Sequence, residues 1–165
     1  MNKRSLLCDK NLLHNSTALG LSSGFSSEVI DVIDSLSNED LSFVADRLVV
    51  RDGIERIIAD NLKTEFLRFV ALRKYNTGML IPSALVDKFW HAFILHTEEY
   101  SDFCLRHLGY YMHHRPQDHS KTNVINDNIA AKKTIECLEK MFPNYNKQLW
   151  SESAICSNDG DCGCP

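Results

Sequence analysis

The chain has 165 residues, 44% of them hydrophobic and 24% charged, with 18 Lys+Arg against 22 Asp+Glu for a formal net charge of −4. That length supports one ordinary domain with a sizeable core, and the apolar content excludes wholesale disorder. No apolar run approaches the ~20 residues needed to cross a bilayer and no basic stripe stands out, so neither a membrane nor a nucleic acid is the expected partner.

The chain opens on Lys3 and Arg4 followed by Leu6-Leu7-Cys8, an apolar stretch too short for an export signal. The expectation is therefore a cytoplasmic protein whose six cysteines (8, 104, 137, 156, 162 and 164) are thiols. Residues 1–25, rich in Ser, Asn and Gly, read as a loosely ordered N-terminal arm. A helical domain over 26–150 and a polar, Cys-rich tail over 151–165 complete the expected division.

Within the domain the apolar spacing takes the helical period from Ser26 onward, with Val29, Ile30, Ile33 and Leu36 on one stripe. Ser37-Asn38-Glu39-Asp40 is a capping signal for a second helix carrying Leu41, Val44, Ala45 and Leu48. Gly53 marks a join to a third, longer helix that runs to about Tyr75. Its inward residues are Ile54, Ile57, Ile58, Leu62, Phe66, Phe69 and Val70, and Asn76-Thr77-Gly78 stops it. Pro82 sits where the next helical stretch, 83–108, can begin. Gly109 to Asn126 reads as an irregular loop, and a helix follows from about Asp127 to Phe142, closed by Pro143. Trp150 is expected to pack a last short segment onto the body. With no repeat, no alternating strand pairs and no Gly-rich phosphate loop, the fold class is all-α, a small helical bundle.

One region is dense in chemistry. Five of the seven histidines lie between positions 91 and 114, with Asp87 just before and Cys104 inside. Imidazole, thiolate and carboxylate are the usual ligands of zinc and iron. In one straight helix His91 and Cys104 would stand about 20 Å apart and roughly 220° around the axis, unable to share an ion. Thr97 followed by Glu98 and Glu99 is, however, an N-cap with two acids in the first turn, where the dipole favours them. A second helix starting at Thr97 lets the chain fold back and bring the two side chains to one level. Asp87 and His91, four apart, share a helix face, so Asp87 is either a ligand or the partner orienting His91. His113 and His114 are neighbours in an extended segment, so one of them faces the site.

The candidate metal ligands are thus His91, Cys104, His113 or His114, and Asp87, holding zinc or iron. No separate acid, base or substrate pocket is visible, so no catalysis is assigned. The alternative is a metal-free interaction module, with Cys104 in the core and His91 bonded to Asp87 as a structural pair. An unknown protein or a small molecule is the expected partner. His96 and His107 read as surface residues and His119 as a loop residue.

The run Asp87…Trp90-His91…Leu95-x-Thr97-x-x-Tyr100-x-x-Phe103-Cys104…Gly109…His113-His114-x-Pro116 resembles the core motif of the glycine-rich domain-containing protein-like family. These are largely uncharacterised bacterial proteins related to plant glycine-rich domain proteins. The resemblance covers about residues 60–116. It implies a helical domain whose Trp-His and His-His elements are the functional candidates, and it supplies no established reaction. The tail Cys156…Cys162-Gly163-Cys164 resembles a short form of the Gly- and Cys-rich tails of that family. Its Cys-x-Cys pair suits soft-metal chelation or thiol exchange.

Overall fold

The computed structural model describes residues 18–114 and 121–151, with the backbone alone at 121–124. The readings of Cys8, His119, Cys156, Cys162 and Cys164 lie outside those residues. The fold is all-α. Among the described residues the helices are α1 (Ser27–Ser37), α2 (Ser42–Asp52), α3 (Arg56–Tyr75), α4 (Ala84–Ile94), α5 (Thr97–His107), α6 (Lys121–Met141) and α7 (Lys147–Trp150). None of them is long and apolar enough to cross a membrane.

α3 is the axis of the bundle. Its continuous run Glu65–Leu72 is buried on every side, as expected of a helix surrounded by others rather than lying on a surface. It packs against α1, α2, α4 and α6. Phe66 sits at the centre, its ring 5.4 Å from Phe89, 5.9 Å from Phe93 and 6.2 Å from Phe103. Full burial of each such ring stabilises the fold by about 1.5–3 kcal/mol, so this aromatic layer anchors α4 and α5 on α3.

Local chemistry sets the turns. Gly53 closes α2 at φ 67°, a left-handed conformation that glycine adopts without a Cβ clash, and the chain passes into α3. α2 begins at Ser42 because the Asp40 carboxylate accepts from the Ser42 amide at 3.0 Å. Ser37, expected to cap α2, instead closes α1, its hydroxyl donating to the Asp34 carbonyl at 2.8 Å.

Two further departures have physical reasons. Ile57 is 68% exposed, because it lies on the face of α3 that carries the exposed Asp60 and Asn61, while Ile58 and Ala59 in the same turn face the core. α6 starts at Lys121 instead of Asp127, and its early apolar residues Ile125 and Ile129 are each 63% exposed. They therefore supply no inward stripe from which that start is readable.

The end of the N-terminal arm docks on the body. Leu19 is buried, its carbonyl accepts from Arg68 Nε at 2.9 Å, and the Ser22 amide donates to the Met141 carbonyl at 2.9 Å. Beneath it, Glu65 accepts from Arg68 Nη1 at 2.5 Å, the Asn146 amide at 2.9 Å and Trp150 Nε1 at 2.7 Å. Trp150 does pack the last helix inward.

Candidate metal centre

α4 begins at the Ser83 cap, whose hydroxyl accepts from the Val86 amide at 3.2 Å. The helix ends at Ile94 and α5 starts at Thr97, so the chain turns a corner where the acidic pair Glu98-Glu99 marked a new helix. Thr97, expected as the N-cap, is instead the first helical residue, and the cap position belongs to His96, which makes no side-chain cap hydrogen bond. The corner closes through the His96 amide donating to the Phe93 carbonyl at 2.9 Å and the Tyr100 amide donating to the His96 carbonyl at 2.8 Å. Phe93 then packs edge-on against both Tyr100 and Phe103, with centroids 5.2 Å apart in each case.

Past α5, Gly109 takes φ 79° and its amide donates back to Cys104 and Leu105, at 3.1 and 3.2 Å. The chain leaves the helix there and returns toward α4. Met112 is fully buried, His113 points outward beside the Tyr111 ring at 4.9 Å, and His114 turns inward. The two-residue alternation of an extended segment puts Met112 and His114 on one side.

His114 arrives against the Asp87 and His91 side chains of α4. The three offer ligand atoms that all lie within 4.8 Å of one another, a group that can hold a metal ion. His114 Nε2 stands 2.8 Å from Asp87 Oδ1 and 3.0 Å from His91 Nε2, and His91 Nε2 stands 3.4 Å from Asp87 Oδ2. Side-chain exposure is 57% for His91, 22% for Asp87 and 18% for His114, so the cluster has a walled base and an open mouth. Trp90 supports the base, its ring edge-on to His114 at 4.7 Å.

The donor and acceptor roles in these contacts depend on which imidazole nitrogen carries a proton. Each Nε2 presents one in-plane position, occupied by either a proton or a lone pair. With protons on both nitrogens, two N–H dipoles oppose each other across 3.0 Å. With one proton, on His114, the N–H is shared between Asp87 Oδ1 at 2.8 Å and His91 Nε2 at 3.0 Å. A single cation can also be faced by all three groups. Donors about 2.0–2.1 Å from one ion stand about 2.9–3.4 Å apart at ordinary coordination angles, and the two imidazole nitrogens, 3.0 Å apart, fall in that range.

The structure brings together Asp87, His91 and His114 and leaves Cys104 and His113 apart from that group. Cys104 is fully buried on the face of α5 that carries Tyr100 and Phe103. Burial pushes its thiol pKa up, against the pull of the Met112 amide and the Tyr100 hydroxyl, so it stays protonated at neutral pH. His107, expected at the surface, is buried and its Nε2 lies 2.7 Å from Glu39 Oε1. The signal was available: His107 follows Phe103 by four positions and shares its inward face. His96 is half-buried and stands edge-on to Phe43 at 4.8 Å.

No curated protein and no solved structure matches the chain. A family model described as UCP032817-like does match, over residues 38–149, most of the helical body. This match overturns the assignment to the glycine-rich domain-containing protein-like family, which rested on the shared residue types of a shorter stretch and on a tail resemblance. The chain belongs to the UCP032817-like family.

Proposed function

We propose that Asp87, His91 and His114 bind one divalent transition metal, zinc or ferrous iron, in a surface-open site that admits a small molecule. The observation that carries this reading is that Asp87, His91 and His114 each offer one ligand atom, all within 4.8 Å of one another, with the two imidazole nitrogens 3.0 Å apart. Two imidazoles and one carboxylate suit either metal, and as a facial set with open positions they suit iron in particular. A metal held there supplies Lewis acidity, toward water or toward an oxygen-bearing ligand. The chain's own contribution is to hold two nitrogens and a carboxylate on one side while leaving the side of His91 to solvent.

The alternative, a metal-free module with His91 and Asp87 as a core pair, has less support. His91 is more than half exposed, and an exposed pair of that kind contributes about 0–1 kcal/mol.

Elemental analysis and cobalt(II) titration of the purified full chain test the proposal. The wild type is expected to bind one equivalent, and Asp87→Asn and His91→Ala to bind at least tenfold more weakly. Equal and negligible binding in all three would refute it.

A further inference from the structure

Met112, two residues before His114, is tied to α5 through its carbonyl, which accepts from the Tyr100 hydroxyl at 2.5 Å. The Tyr100 oxygen in turn accepts from Trp90 Nε1 at 2.8 Å. Tyr100, Cys104 and Met112 are fully buried and Trp90 nearly so.

One proton arrangement satisfies the chain of contacts. The indole N–H donates to the tyrosine oxygen, and the tyrosine O–H donates to the Met112 carbonyl. The relay is buried, and removing the tyrosine hydroxyl strands the indole N–H and the Met112 carbonyl. It also touches the metal site directly, because the Trp90 ring that donates to Tyr100 is the one that abuts His114.

We infer that Trp90 and Tyr100 are positioning residues, a clamp on Met112 that aims His114 at Asp87 and His91 and so sets metal affinity from inside the core. The inference rests on the metal reading above. The clamp acts without ligation, through the backbone two residues from His114. The lever is short: an extended residue spans about 3.3 Å, so a shift of Met112 carries His114 with it. Metal–ligand distances tolerate only about ±0.2 Å.

The test uses the full chain with cobalt(II) as probe. Tyr100→Phe deletes one hydroxyl and keeps the ring. Its cobalt Kd is expected to rise about tenfold or more, the usual effect of losing an outer partner of a ligand. The cobalt visible spectrum should change, and the nuclear Overhauser contact between the Trp90 and His114 rings should weaken in the metal-free protein. Ile33→Val, in the core of α1, is the control: a lower Tm with Kd unchanged. Trp90→Phe, which removes the indole N–H donated to Tyr100 and keeps a ring beside His114, is expected to raise the cobalt Kd in the same direction and serves if Tyr100→Phe does not fold.

A wild-type Kd together with an intact ring contact in Tyr100→Phe would overturn the clamp. If the wild type itself binds no cobalt, the metal reading falls, and the ring contact alone decides. Its loss in Tyr100→Phe supports positioning, and its retention overturns it.

Discussion

His113 and His114 have the same side chain and opposite surroundings, and the difference is their parity along an extended segment. Met112 is drawn into the core and bonded to Tyr100, so His114, in step with it, is turned to Asp87, while His113 faces solvent. His114→Ala is expected to raise the Kd for zinc at least tenfold, and His113→Ala to leave it within about twofold, both read by competition with a chromophoric chelator. The opposition of the pair was legible in the sequence. Which member faced inward was not, because that depends on a contact between Met112 and a helix earlier in the chain. Cys104 shows the complementary limit. Residue type made it a ligand candidate, whereas its place beside Tyr100 and Phe103 makes it a buried neutral thiol.

At the scale of elements, the corner between α4 and α5 was readable because it is written in local chemistry, a threonine and two acids where a helix starts. The latch that holds α5 to the α1–α2 connection was not, since it joins Glu39 to Arg106 and His107 across a long sequence separation. Burial alone would raise the Glu39 carboxyl, but hydrogen bonds from Arg106 and His107 outweigh it and hold its pKa below the ordinary 4.5. A carboxyl held low in the folded state stabilises the fold above its unfolded value and loses that contribution as pH falls through the lower folded value. Urea unfolding of the wild type should therefore show stability declining below about pH 4.5, and Glu39→Gln should flatten that segment of the profile. An unchanged slope in the variant would show that the decline comes from other groups.

For the molecule as a whole, one buried carboxylate joins separated parts of the chain. Glu65 of α3 binds Arg68, which reaches back to Leu19 of the arm, and it also accepts from Asn146 and Trp150. Glu65→Ala leaves the Arg68 guanidinium buried without its partner and is expected to cost about 3–5 kcal/mol, measured by chemical denaturation. Glu65 was invisible as a hub because a glutamate on a helix usually marks the wet face. Only the surrounding of α3 by other helices reverses that reading. The all-α class and most helices of the bundle, by contrast, followed from apolar period and turn residues. The family did not follow from a motif that covers only part of the body.

The metal centre is the claim on which the functional account stands, and thermal unfolding of the full chain with and without zinc tests it most directly. At a free zinc concentration one hundred times Kd, a site formed only in the folded state adds about 2.7 kcal/mol. The wild type should therefore melt several degrees higher with zinc, while in His114→Ala a Kd at least tenfold higher should cut that gain to about half or less at the same zinc concentration. A wild-type Tm that zinc leaves unmoved, or a shift that His114→Ala fully retains, would contradict the account.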